Sequence, residues 1–117
     1  MRSERLSGED VGVLVQGVQK LCIARDLASV IEIVRTTARR LVGADGATFV
    51  LREGDQVFYA AEDAISPLWQ GRRFLARECI SGWAMLNRQC VAIRDIYADP
   101  RIPSDAYRPT FVQSLAM

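Results

Sequence analysis

The chain has 117 residues, half of them apolar, which suits one packed core and is too short for two ordinary domains. Fifteen basic and fourteen acidic side chains leave a net charge of +1 without any basic block, which argues against nucleic acid as the main partner. The three cysteines, Cys22, Cys79 and Cys90, lack C-x-x-C spacing and histidine is absent, so a disulfide framework, His-ligated zinc or haem and a serine-triad base all drop out. Unpaired cysteines fit a reducing cytoplasm. The charged start MRSERLSGED, with no long apolar run behind it, leads to the expectation of no signal peptide, no membrane span and no membrane contact from this segment.

Taken in chain order, Ser7 followed by Asp10 reads as a helix start, because a hydroxyl there can accept from an early backbone N–H. Val11, Leu14, Val15, Val18, Leu21 and Cys22 then recur at helical spacing. Asp26 is the cap of a second helix whose apolar face is Leu27, Val30, Ile31, Val34, Ala38 and Leu41, and Gly43 ends it. The period then changes. GATFVLREGDQVFYAAED predicts two strands around Gly54-Asp55, since glycine supplies the positive φ of a tight hairpin. The run Phe49-Val50-Leu51 predicts a first strand buried on both faces. AISPLWQGRRFLAREC, with Pro67 and Gly71, reads as a loop with one helical turn. SGWAMLNR predicts a short helix capped by Ser81 with Trp83, Ala84 and Leu86 inward, and CVAIRD a third strand that begins at Cys90. The loop RDIYADPRIPSDAY follows, RPTFVQ adds a turn, and SLAM opens a fourth strand. Runs of helices and then strands predict an α+β architecture, an antiparallel sheet with the N-terminal helices on one face. The expected organisation is a single domain over 1–117, helical over 7–42, with the sheet and a covering loop over 46–117.

Three stretches carry a family resemblance: GADGATFVLREGDQVFYAAED, SGWAMLNRQCVAIRDIYADPRIP and FVQSLAM. A glycine-led short helix, a strand ending in Asp, an Asp-Pro-Arg loop and a strand entered through Ser together resemble a GAF domain. GAF domains are the PAS-like sensory modules of bacterial signalling proteins such as sensor histidine kinases and cyclases. The resemblance implies a non-catalytic sensory domain and a small-molecule pocket over the sheet, closed by the loop after Asp95. It also implies a homodimer that passes the signal through its terminal helices to an output domain. The family continues past the strand at Ser114 with a helix and two more strands, so the C-terminal part of the fold reads as truncated here, or as completed by another chain. The main alternative is a dimerisation module without ligand. A thiol-dependent free methionine sulfoxide reductase is disfavoured, because Ser81 and Ser104 stand where that family has cysteines. Haem, bilin and cyclic-nucleotide ligands are disfavoured too, their His, Cys-His and Asn-Lys-x-x-x-Phe signatures being absent.

Within the loop, Asp95, Asp99 and Asp105 fit turn chemistry better than metal binding, which needs several oxygens on one point. The resemblance singles out Asp95, Tyr97 and Arg101 as its polar ligand contacts. Ligand clefts are mostly apolar, so Phe49, Phe58, Trp69 and Trp83 complete the candidate set, although the same aromatics would serve as ordinary core.

Overall fold

The structure, a computed structural model, describes residues 7–117. Local chemistry sets the first elements. Helix α1, Gly8–Ile23, starts in a full capping box: Asp10 N–H donates to Ser7 Oγ, and Ser7 N–H to Asp10 Oδ2, both at 3.1 Å. Helix α2, Leu27–Val42, is capped by the Asp26 carboxylate, which accepts from Ser29 N–H at 2.7 Å. It ends where Gly43 turns left-handed, at φ 63°. Strands β1, Gly46–Glu53, and β2, Gln56–Ala64, form the hairpin through Gly54, whose φ of 64° only glycine adopts without strain. Strand β3, Arg73–Leu75, adds antiparallel to β2, with Val57 opposite Phe74, in the order β1-β2-β3. A 3-10 turn, Ala76–Glu78, leads into helix α3, Ile80–Asn87. Strands β4, Ala92–Ile93, and β5, Leu115–Ala116, pair antiparallel in a separate ladder. Between them lie a 3-10 turn at Ile96–Ala98 and the one-turn helix α4, Ser104–Tyr107. The class is α+β with a small antiparallel sheet.

The chain divides into two compact units, one holding it up to Phe49 together with Ala60–Ile65, the other Val50–Tyr59 and Ser66–Met117. In the first, α1 and α2 cross closely at Gly17, where a Cβ would meet Thr37 Cγ2 at 3.0 Å. Helix α2 is tied to β2 by the Arg39–Asp63 ion pair at 2.9 Å and by an Arg35 N–H on the Glu62 carbonyl at 3.3 Å. In the second, the core is Val57, Tyr59, Trp69, Ala76, Cys79, Ile80, Val91, Ile93, Ile96, Ile102 and Tyr107. Among the described residues, no helix is long and apolar enough to cross a membrane.

Several local expectations give way to tertiary packing. Phe49, Val50 and Leu51 are half-buried, because β1 is the outer strand of its ladder. The stretch after β2 holds β3 where a loop was expected. The cap of helix α3 lies two residues earlier than expected, at an extended Cys79 that makes no side-chain cap bond. Ser81 is therefore not a cap but a buried residue of the first turn, and Leu86 points outward at 49 % exposure. The third strand shrinks to two residues, and Cys90, expected to begin it, is exposed and lies outside it.

Candidate functional site

The second unit contains a cleft of about 410 Å³ lined by Arg77, Glu78, Cys79, Trp83, Pro100, Arg101, Ile102 and Pro103. Its walls are built locally. On one side, the chain leaves the 3-10 turn and enters α3 with the Ala76 backbone pressed on Gly82. That contact fixes Arg77, Glu78 and Cys79 at one lip and Trp83 on the next turn of helix. On the other side, Asp99 organises the loop. Its carboxylate accepts from Arg101 N–H at 2.9 Å, from Arg101 Nε at 3.0 Å and from Nη2 at 2.7 Å. This fork fixes the guanidinium, which lies 4.4 Å from the centre of the Trp83 ring. The Arg101 hydrogen bonds hold the Asp99 carboxyl well below its usual range, at about 2, so the pair stays ionised at neutral pH. Proline on both sides of Arg101–Ile102 restricts the loop backbone further.

Behind the cleft, the Cys79 thiol lies 3.5 Å from Ser81 Oγ, and Ser81 Oγ shares a hydrogen bond of 3.1 Å with the Tyr59 hydroxyl. Burial pushes the Tyr59 phenol up to about 12, against a smaller lowering by Ser81. The Tyr59 hydroxyl therefore stays protonated across ordinary pH. It anchors α3 to β2.

The structure brings Trp83 and Arg101 together and disperses the other candidates. Trp69 lies in the core, edge-on to Tyr59 and Tyr107, and its indole N–H donates to the Ala106 carbonyl at 3.1 Å. Phe58 is half-buried on β2 under the Arg73 guanidinium, 4.1 Å from its ring centre. Phe49 is half-buried on β1 in the first unit. Asp95 is exposed and accepts from Tyr97 N–H at 3.0 Å, and Tyr97 is itself 43 % exposed. Asp105 pairs with Arg108, so the three loop carboxylates serve three local partners. Among the described residues, no three Cys, Asp or Glu side chains gather as a metal site would need. Sequence reasoning missed Arg77, Glu78 and the cleft face of Cys79. Nothing in the stretch ARECISG marks these residues as the rim of a cleft.

A second concavity, about 150 Å³, is an apolar groove between α1 and α2 lined by Leu14, Gly17, Val18, Leu21, Ile33 and Val34, among others. It offers no anchored polar group that would orient a small ligand.

Two solved structures share this fold. The GAF domain of a phosphoenolpyruvate-protein phosphotransferase from Acinetobacter superposes with a TM-score of 0.69 at 15 % identity, over 83 % of this chain and 63 % of that one. The chromophore-binding domain of phytochrome P1 from Stigmatella aurantiaca superposes with a TM-score of 0.62 at 20 % identity, over all of this chain and 36 % of that one. The chain thus spans less than two thirds of the length of either. No family model matches the sequence, and no curated protein does.

Proposed function

Because the chain has the fold of a GAF domain, we propose that it is a non-catalytic sensory domain of a bacterial signal-transduction protein, of the sensor histidine kinase type, that reads a small molecule in the cleft between α3 and the Asp99–Pro103 loop. The cleft carries this reading. Its volume of about 410 Å³ lies in the range of ligand sites, and its walls combine apolar side chains with a few anchored polar ones. The Stigmatella domain, which shares the fold, binds a chromophore, and that supports a ligand-holding role.

The sensing step is a shift between two packings of the loop. Asp95 and Asp99 stitch it with short-range bonds, so it can settle as a unit against Trp83 or away from it. A molecule that prefers one packing moves the population by its difference in affinity for the two, and by nothing more. The output domain and the cytoplasmic setting belong to the same proposal.

One observation favours a second reading, a dimerisation module without ligand. Val11, Leu14, Val15, Val18 and Leu21 on α1 are 39–51 % exposed, a patch of the kind that marks interaction surfaces. Thermal unfolding against a metabolite panel separates the two readings. A cleft ligand at ten times its Kd adds about 1.4 kcal/mol, a rise of roughly 4 °C or more in the midpoint. No shift with any compound, together with a dimer that tightens with concentration, would leave the second reading standing and end the first.

A further inference from the structure

We propose that the cleft takes a small monocarboxylate, with the carboxylate between Arg77 and the open edge of Arg101 and an apolar body against Trp83, Pro100, Ile102 and Pro103. This rests on the sensory reading and names the chemistry of its ligand.

Asp99 occupies two of the five N–H groups of the Arg101 side chain, those on Nε and one on Nη2. Nη1 has no partner among the described residues, so the fork is held in place with one edge still able to donate. Fixing the side chain beforehand removes most of the ordering cost that a flexible arginine would impose on binding. Arg77 at the opposite lip is exposed and makes no ion pair among the described residues. Two guanidinium groups on one cleft favour an anion.

The acceptors set its size. Glu78 is the one carboxylate on the lining, and Asp99, outside it, already pairs with Arg101, so the positive charge left to a ligand is small. A phosphate ester or a polyanion would face Glu78 without enough opposing charge. A single carboxylate meets two donor groups and adds one negative charge, where a phosphate ester adds two. A cation would meet both guanidinium groups and only Glu78 to receive it. The apolar half of the cleft then fits a hydrocarbon or aromatic body and no second ionic group.

The test uses calorimetric titration of the chain with butyrate, hexanoate and phenylacetate, each beside its own primary amide. The amides keep shape and lose charge. Each acid should bind about tenfold tighter than its amide, one charge-assisted hydrogen bond's worth. Arg77→Gln should weaken the acids about tenfold and leave the amides unchanged, and Arg77→Lys should recover part of the loss. Arg77 is exposed and outside the core, so an unchanged unfolding midpoint shows that these variants still fold. Equal binding of acid and amide, or an Arg77→Gln variant that binds acids normally, overturns the carboxylate assignment and leaves the cleft as a sensor of neutral molecules. Failure of every acid at millimolar concentration overturns it as well, and the metabolite panel then judges the sensory reading separately.

Discussion

Gly82→Ala should cost at least about 3 kcal/mol of stability, the upper end of what overpacking a core site does. A Cβ at Gly82 would stand 1.9 Å from the Ala76 carbonyl oxygen and 2.4 Å from its carbonyl carbon and Cα. These are backbone atoms of the 3-10 turn, not the end of a flexible side chain, so the neighbour cannot swing aside. Helix α3 or the turn must move as a body. The move is costly because Ile80 is fully buried, Ser81 is 3 % exposed, and both lie in the same helical turn. Typical domains are stable by only about 5–15 kcal/mol, so the loss would be read easily as a lowered urea midpoint. The same displacement shifts Arg77–Cys79, one lip of the cleft. A variant with the parent's midpoint would show that α3 does not sit on that turn.

Trp69→Ala should cost about 3–5 kcal/mol, as removal of a large buried aromatic does. Trp69 is 7 % exposed. Its ring meets Tyr59 at 5.5 Å and Tyr107 at 4.7 Å, both edge-on, and its N–H satisfies the Ala106 carbonyl of α4. The alanine leaves a cavity among β2, the turn before β3 and α4. Trp69→Phe keeps most of the apolar area and loses the hydrogen bond, and should cost only about 1–2 kcal/mol. Chemical denaturation of the two variants side by side checks the order. Equal and small losses would mean that Trp69 is not a core residue. That outcome would return it to the ligand set, where the sequence alone had placed it.

The parts of the fold that were legible are those set within a few residues. Ser7 with Asp10, Asp26, Gly43 and Gly54 act through caps and turns, and each does in space what its neighbours in sequence imply. The parts that were not legible are decided at long range. Trp69 lies between Pro67 and Gly71, which mark a loop, yet its N–H finds a carbonyl 37 residues on. Ser81 has the composition of a cap, but the extended Cys79 takes that place and frees Ser81 to bond Tyr59, 22 residues away. Strands of two or three residues, β3, β4 and β5, are too short to show a period. The cleft was half legible. Arg101 and Trp83 were singled out, one by its loop and one as an aromatic. Arg77 and Glu78 were not, because nothing in ARECISG marks a charged pair as the rim of a cleft.

The two tryptophans offer the most direct test, since one lies in the core and the other lines the cleft. In nitrogen-15 NMR spectra of the backbone and indole N–H groups, a compound that raises the unfolding midpoint should shift the indole resonance of Trp83 and leave that of Trp69 near its original position. A compound that raises the midpoint while leaving Trp83 unmoved, with its shifts gathered instead on Leu14, Val18 and Val34, would contradict the account and place the ligand in the groove between α1 and α2.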